Sequence, residues 1–317
     1  MPSGTVPPYG QGTGYGDTSI VTDVSDLLYQ ITAEDTPFFY LCEDGPANVG
    51  NAYNHQWQRR ELSTRNDNAQ FEGFNFTFTS ASRLPVSLFN TEQILAKDIR
   101  ISGSNQAMGH YAIPNLRADQ IEVQLAEEKT DIERALLRST LNTGGTGTAR
   151  RMLGIIPMAQ SNLTMQTNVS TATFSEARFN GFLEDGWTQG AALRDVLVDG
   201  RMKRVISNFT GNAARIIDAT AGELVTAIDS YQSEFGPVAL HLCRDMLTTG
   251  TALTATLGRS VLAVDKTHLK KAYLRGSQVI PAARIADSED YILLTEVTLE
   301  YGHPNSHYLY WGTVSPI

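Results

Sequence analysis

The sequence predicts an α+β fold, and three patterns predict it. Phe74, Phe76 and Phe78 alternate with Asn75, Thr77 and Thr79, which is the period of two that a strand imposes. Leu116, Ile121, Leu125, Ile132, Leu136 and Leu141 make one apolar stripe on a long helix expected over 115–142. The stretch from Tyr291 to Val314 reads as two strands around a turn at Gly302 to Ser306.

The elements follow in chain order. Residues 1–19 are a Gly/Pro/Tyr/Thr segment containing Pro7-Pro8 and three glycines in Gly12-Thr-Gly-Tyr-Gly16. So apolar-poor an arm holds one course only where something covers it, and a neighbouring subunit is the expected holder. Asp23 to Ile31 reads as a short helix capped by Asp23, with Leu27, Leu28 and Ile31 as its stripe, closed by Asp35 and Pro37. Residues 52–102 look all-β, with Trp57 on an early extended run and the aromatic alternation after it. A two-stranded ribbon is marginal alone, so its aromatic face needs cover from the same chain or from another subunit. We take Trp57, Phe71, Phe74, Phe76 and Phe78 as the candidate subunit-interface residues.

The long helix is entered at Pro114, and Gly144-Gly145 is its expected stop. Lys129/Glu133 and Asp131/Arg134 have the spacing to pair along its surface. Beyond it, Phe174 to Trp187 and Val196 to Phe209 read as helices, and Arg215 to Asp218 and Ala239 to Leu242 as strands. No internal repeat is visible.

At 317 residues the chain exceeds one simple core, which stops growing at roughly 250–300 residues, so two lobes plus extended arms are expected. Charged residues are only 19% of the chain, consistent with large partner-covered surfaces, whose centres are depleted in charge. The net charge of −9 and scattered basic pairs (Arg59-Arg60, Arg150-Arg151, Lys270-Lys271) argue against a dedicated nucleic-acid binder. Cys42 and Cys243 are too sparse for a disulfide framework and are expected as buried free thiols. The opening Met-Pro-Ser-Gly has neither a basic nor an apolar signal region, and no stretch is apolar enough to span a membrane.

Chemistry is sparse. Of six histidines only His303 and His307 are four apart, and Pro304 between them keeps them off a shared helix face, so no metal is expected. Gly12 to Gly16 and Gly144 to Gly147 lack the GxxxxGK[ST] phosphate-loop pattern, and no GxSxG elbow occurs. No carboxylate pair stands out for acid–base work. The sequence offers no catalytic residue and no cofactor site.

The order of elements, with certain motifs, resembles a known family. Glu34-Asp-Thr-Pro-Phe38 follows the first short helix, and Trp57 precedes Glu72-Gly73. Asn90-Thr-Glu-Gln-Ile94 runs into Ile101 to Met108, and Gly154-Ile155 follows the glycine-rich stretch. Phe235-Gly-Pro237, Lys271 to Arg275 and Thr295 to Glu300 complete the set. Together these are similar to the tailed-phage major capsid proteins of the Hong Kong 97-type fold.

The resemblance implies an N-terminal arm (1–50), an extended loop lying over a neighbour (51–110), a peripheral domain (111–170 and 286–317) with the long helix as spine, and an axial domain (171–285). It implies a structural subunit and not an enzyme. Pentamers and hexamers would form an icosahedral virion shell, assembled in the host cytoplasm without membrane contact. Portal, scaffolding and decoration proteins are possible further partners. The shell would enclose DNA with only weak contacts, for which Lys129, Arg134 and Arg138 of the spine are candidates. Some members cross-link a loop lysine to a neighbour, but residues 58–80 contain none and Lys97 is the only lysine before Lys129, so no cross-link is expected. No removable scaffolding segment is expected either. An encapsulin-like compartment shell is the alternative.

Overall fold

The computed structural model describes residues 35–45, 53–62, 65, 67–75, 84–108, 113–161, 166–168, 174–209, 230–246, 260–284 and 286–311. The arm at 1–19, the helix expected over 23–31 and the strand expected at 215–218 lie outside them. The elements are α1 (Pro37–Leu41), β1 (Glu43–Asp44), β2 (Asn54–Arg59), β3 (Val86–Thr91), β4 (Gln93–Ser102), α2 (Gly103–Ala107), α3 (Leu116–Arg138), α4 (Ile155–Ser161), β5 (Gln166–Asn168), α5 (Glu176–Thr188), β6 (Asp195–Val198), α6 (Gly200–Ser207), β7 (Ser230–Ser233), β8 (Gly236–Leu242), β9 (Ser260–Val264), β10 (Lys270–Pro281), β11 (Ser288–Glu300) and β12 (His307–Trp311).

The expected long helix is α3, about 34 Å at 1.5 Å per residue. Asn115 caps it by accepting from the Ala118 N–H at 3.2 Å. Ile132, Leu136 and Leu137 are fully buried, whereas Leu116 and Ile121 lie on a smaller cluster of Ile99, Ile101 and Tyr291. Leu125 is exposed, and Leu141 falls beyond the helix.

The stop differs from the glycine signal. Ser139 leaves helical geometry at ψ 137°, and its carbonyl accepts from the Gly154 N–H at 2.7 Å. A Cβ on Gly154 would stand 2.8 Å from the Arg138 nitrogen and the Leu137 carbonyl carbon, so only glycine lets α4 begin there. Gly144, at φ +82°, instead turns a small hairpin closed by Asn142 and Arg151.

Two sheets organise the rest. One has the order β1-β10-β11-β4, and the other β5-β12-β9-β6-β8-β7. The six-stranded sheet separates two cores by strand alternation. Leu197, Leu262, Val264 and Leu309 face the core shared with α1, α3 and α4. Val196, Val198, Val261, Ala263, Tyr308 and Tyr310 face the other, under α5 and α6.

This arrangement corrects one expectation. Val196 to Phe209 is not one helix: Asp195–Val198 is a strand buried throughout, and Asp199 then caps α6 by accepting from the Met202 N–H at 2.6 Å. A continuous apolar run buried on both faces does not alternate, so its period misleads. The helix expected from Phe174 appears as α5, and Ala239 to Leu242 lies within β8.

Long-range pairing joins the remaining strands. β10 pairs along its length with β11. β12 pairs with β9 and β5 in the six-stranded sheet. β4 pairs with β11 from Val297↔Gln93 to Ser288↔Ser102.

Candidate assembly surfaces

The ribbon is formed by β2 and β3 alone, in register from Asn54↔Thr91 to Arg59↔Val86. Its inward side at the root is covered by its own chain. The Trp57 indole N–H donates to the Gly302 carbonyl at 2.7 Å, and its ring meets Tyr301 edge-on at 4.8 Å. Buried His55 bonds Glu300 at 2.8 Å. Leu88, opposite Trp57, packs on the main core. Trp57 therefore fastens the ribbon to its own subunit.

Farther out, apolar side chains face solvent. Leu62 is 90% exposed, Phe71 74% and Leu84 78%. Phe74 does not sit in a strand: its N–H bonds the Phe71 carbonyl at 3.2 Å across a turn through Glu72 and Gly73 (φ +79°). The Phe71 and Phe74 rings lie 6.5 Å apart. Phe76 and Phe78 lie outside the described residues. The structure thus brings Phe71 and Phe74 together and sets Trp57 apart from them.

Buried polar groups lock the root, and the sequence reading missed them. Asn90 is fully buried and bonded to Leu153, Leu299 and Thr91. Glu92 is buried near Glu296, and burial, ahead of that neighbouring charge, raises its pKa to about 7. Glu296 itself is held by Arg275 at 2.7 Å and Arg150 at 3.7 Å. The Asn90-Thr-Glu-Gln-Ile94 motif was the available signal, but a polar run in a β context says nothing of burial.

A second anchor joins α1 to α3. Phe38 is buried, and the Phe38 and Phe39 N–H groups donate to the Glu133 carboxylate at 3.0 and 2.5 Å. With Pro37 at its first position, α1 takes its N-terminal acceptor from another helix. Burial raises the Glu133 pKa to about 7 despite these donors. Glu133 is therefore not paired with Lys129, contrary to the surface-pair expectation. Lys129 reaches the Tyr40 hydroxyl and lies over its ring, and Asp131 holds Lys97 at 2.7 Å. Cys42 and Cys243 are buried and free, and burial pushes the Cys243 thiol up to about 12.

Each of the five described histidines has a carboxylate or carbonyl neighbour of its own, Glu300 for His55 and Asp265 for His268 among them. His241 bonds Asp195, His303 lies near Glu61, and His307 bonds the Tyr301 carbonyl. Among the described residues there is no cluster of three or more potential metal ligands, and no helix long and apolar enough to cross a membrane.

Solved structures share this architecture. The capsid asymmetric unit of cyanophage A-1(L) matches with a TM-score of 0.69 at 10% identity, covering 93% of this chain and 98% of that one. The capsid of a native GTA particle matches with a TM-score of 0.62 at 10% identity, covering 94% and 96%. The holo-SrpI encapsulin complex from Synechococcus elongatus PCC 7942 matches with a TM-score of 0.59 at 8% identity, covering 93% and 94%. No curated protein sequence matches the chain. The family model described as SU10 major capsid protein matches residues 8–313, nearly the whole sequence, and the chain belongs to that family.

Proposed function

We propose that many copies of this chain close into an icosahedral head shell of pentamers and hexamers around DNA. One observation carries the reading: a ribbon locked to its own subunit at the root presents Leu62, Phe71 and Leu84 bare at its outer part. Exposed apolar groups held out on a fixed support suit burial against another copy, at roughly 1.5–3 kcal/mol per large side chain. Phe71 and Phe74, with Phe76 and Phe78 beyond the described residues, are the proposed contacts. Trp57 supports them from within its own subunit.

The finer expectations belong to the same proposal. The shell is a structural assembly without catalysis, built in the host cytoplasm. Scaffolding, portal and decoration proteins are its candidate partners, and its contacts with DNA are weak. Negative-stain imaging of the purified protein tests it: closed isometric particles are expected, and a monodisperse monomer under all assembly conditions would overturn it. The likeness to an encapsulin complex supports the second reading, a compartment shell. Nucleic acid inside particles isolated from the producing cell favours the head shell, and cargo protein the compartment.

A further inference from the structure

Trp187 and Phe235 form an exposed aromatic pair on the lobe beneath α5. Trp187 lies near the end of α5, and Phe235 in the turn between β7 and β8. Their ring centroids are 5.8 Å apart with planes inclined by 37°. Trp187 is 63% exposed and Phe235 37%. Together with buried Leu183 and Leu193 they line a cavity of about 350 Å³. The cleft is preformed: the Ala191 N–H bonds the Gly186 carbonyl at 3.0 Å, and Leu193 packs where a Cβ on Gly186 would stand.

We infer that this cleft receives the Pro7-Pro8-Tyr9 segment of a second copy of the chain. This rests on the shell reading above. Aromatic-lined grooves bind proline-rich segments because the polyproline helix is already extended and loses little entropy on docking. Pro7-Pro8 is the only pair of consecutive prolines in the sequence, and Tyr9 adds a ring beside it. Arg194 lines the cleft, and Glu184, Asp185 and Glu234 neighbour the two aromatics in sequence, so the rim carries charge of both signs. Residues 1–16 contain no Asp, Glu, Lys or Arg, so the segment meets that rim without repulsion. The chain between Tyr9 and Asp35 spans about 90 Å at most when extended, which allows it to reach a neighbour. Asp35 itself lies beside Arg244, at 3.5 Å.

The test replaces Tyr9 by the photo-crosslinker p-benzoylphenylalanine in the full chain and assembles a mixture of 14N- and 15N-labelled subunits. Mass spectrometry after illumination is expected to find mixed-isotope crosslinks on α5 near Trp187 or on the Phe235 turn. Trp187→Ala, an exposed position, is expected to keep its circular dichroism and lose those crosslinks. Crosslinks that map elsewhere, stay within one chain, or persist in W187A overturn the inference. Imaging the same sample separates the two readings. Particles without these crosslinks sink only the docking, whereas a preparation that never forms particles sinks the shell reading itself.

Discussion

Asn90 and Leu153 exchange two hydrogen bonds: the Asn90 amide donates to the Leu153 carbonyl at 3.0 Å, and the Leu153 N–H donates to Asn90 Oδ1 at 2.8 Å. A side-chain amide thus does what a backbone amide does in a ladder. It ties the last turns of the ribbon to the segment that leads into α4. The same Nδ2 donates to the Leu299 carbonyl at 2.8 Å, so three separate parts of the chain meet at one buried residue.

Asn90→Asp keeps the shape and loses both donors. Each of the two buried carbonyls left unpaired costs about 1–3 kcal/mol, so a loss of about 2–6 kcal/mol of subunit stability is expected. Urea unfolding of the unassembled subunit measures it. A change below about 0.5 kcal/mol, the range of an ordinary surface substitution, would show that the network is not holding the root.

Trp57→Phe and Phe71→Ser are expected to separate support from contact. The first removes the bond to Gly302 and lowers subunit stability by about 1 kcal/mol. The second changes a solvent-facing side chain, leaves subunit stability within about 0.5 kcal/mol, and stops or slows assembly measured by light scattering. Normal shells from F71S would remove Phe71 from the interface.

The buried carboxylates set a pH dependence of definite sign. Glu92 and Glu133 both rise from 4.5 to about 7, chiefly by burial. The folded state then binds more protons than the unfolded state between those values. The stability from these groups is fully present below about pH 4.5 and is lost as pH rises through about 7. Glu92→Gln should flatten that part of the stability–pH curve. An unchanged slope would mean that Glu92 is not protonated in the fold.

Free subunits should bind duplex DNA more weakly than the roughly 10⁻⁴–10⁻⁶ M of non-specific binders at physiological salt. Of the three spine cations, Lys129 is engaged by Tyr40, and burial lowers the Arg138 pKa by penalising its charge. Arg134 is exposed. Titration of capsomers at two salt concentrations checks this. Micromolar affinity with a steep salt slope would reveal a basic surface assembled from distant parts of the chain.

The sequence encodes part of the fold through local periodicity. The spacing of Ile132 and Leu136 set the spine helix, the stretch from Phe174 to Trp187 was legible as the helix that is α5, and the closing strands appeared around a turn at Gly302. It also carried the motif order that led to the family. Long-range packing settles which side of the six-stranded sheet each of Val196, Leu197 and Val198 faces, because a strand buried on both faces has no polar side to show its period. It decided where α3 ends, because that depends on Gly154 approaching from another segment. It also sets Trp57 against Gly302 and Tyr301 of its own chain, and buries Asn90, Glu92 and Glu133. The bonded partners of these residues lie up to 245 positions away, and no local pattern records a contact closed over that distance.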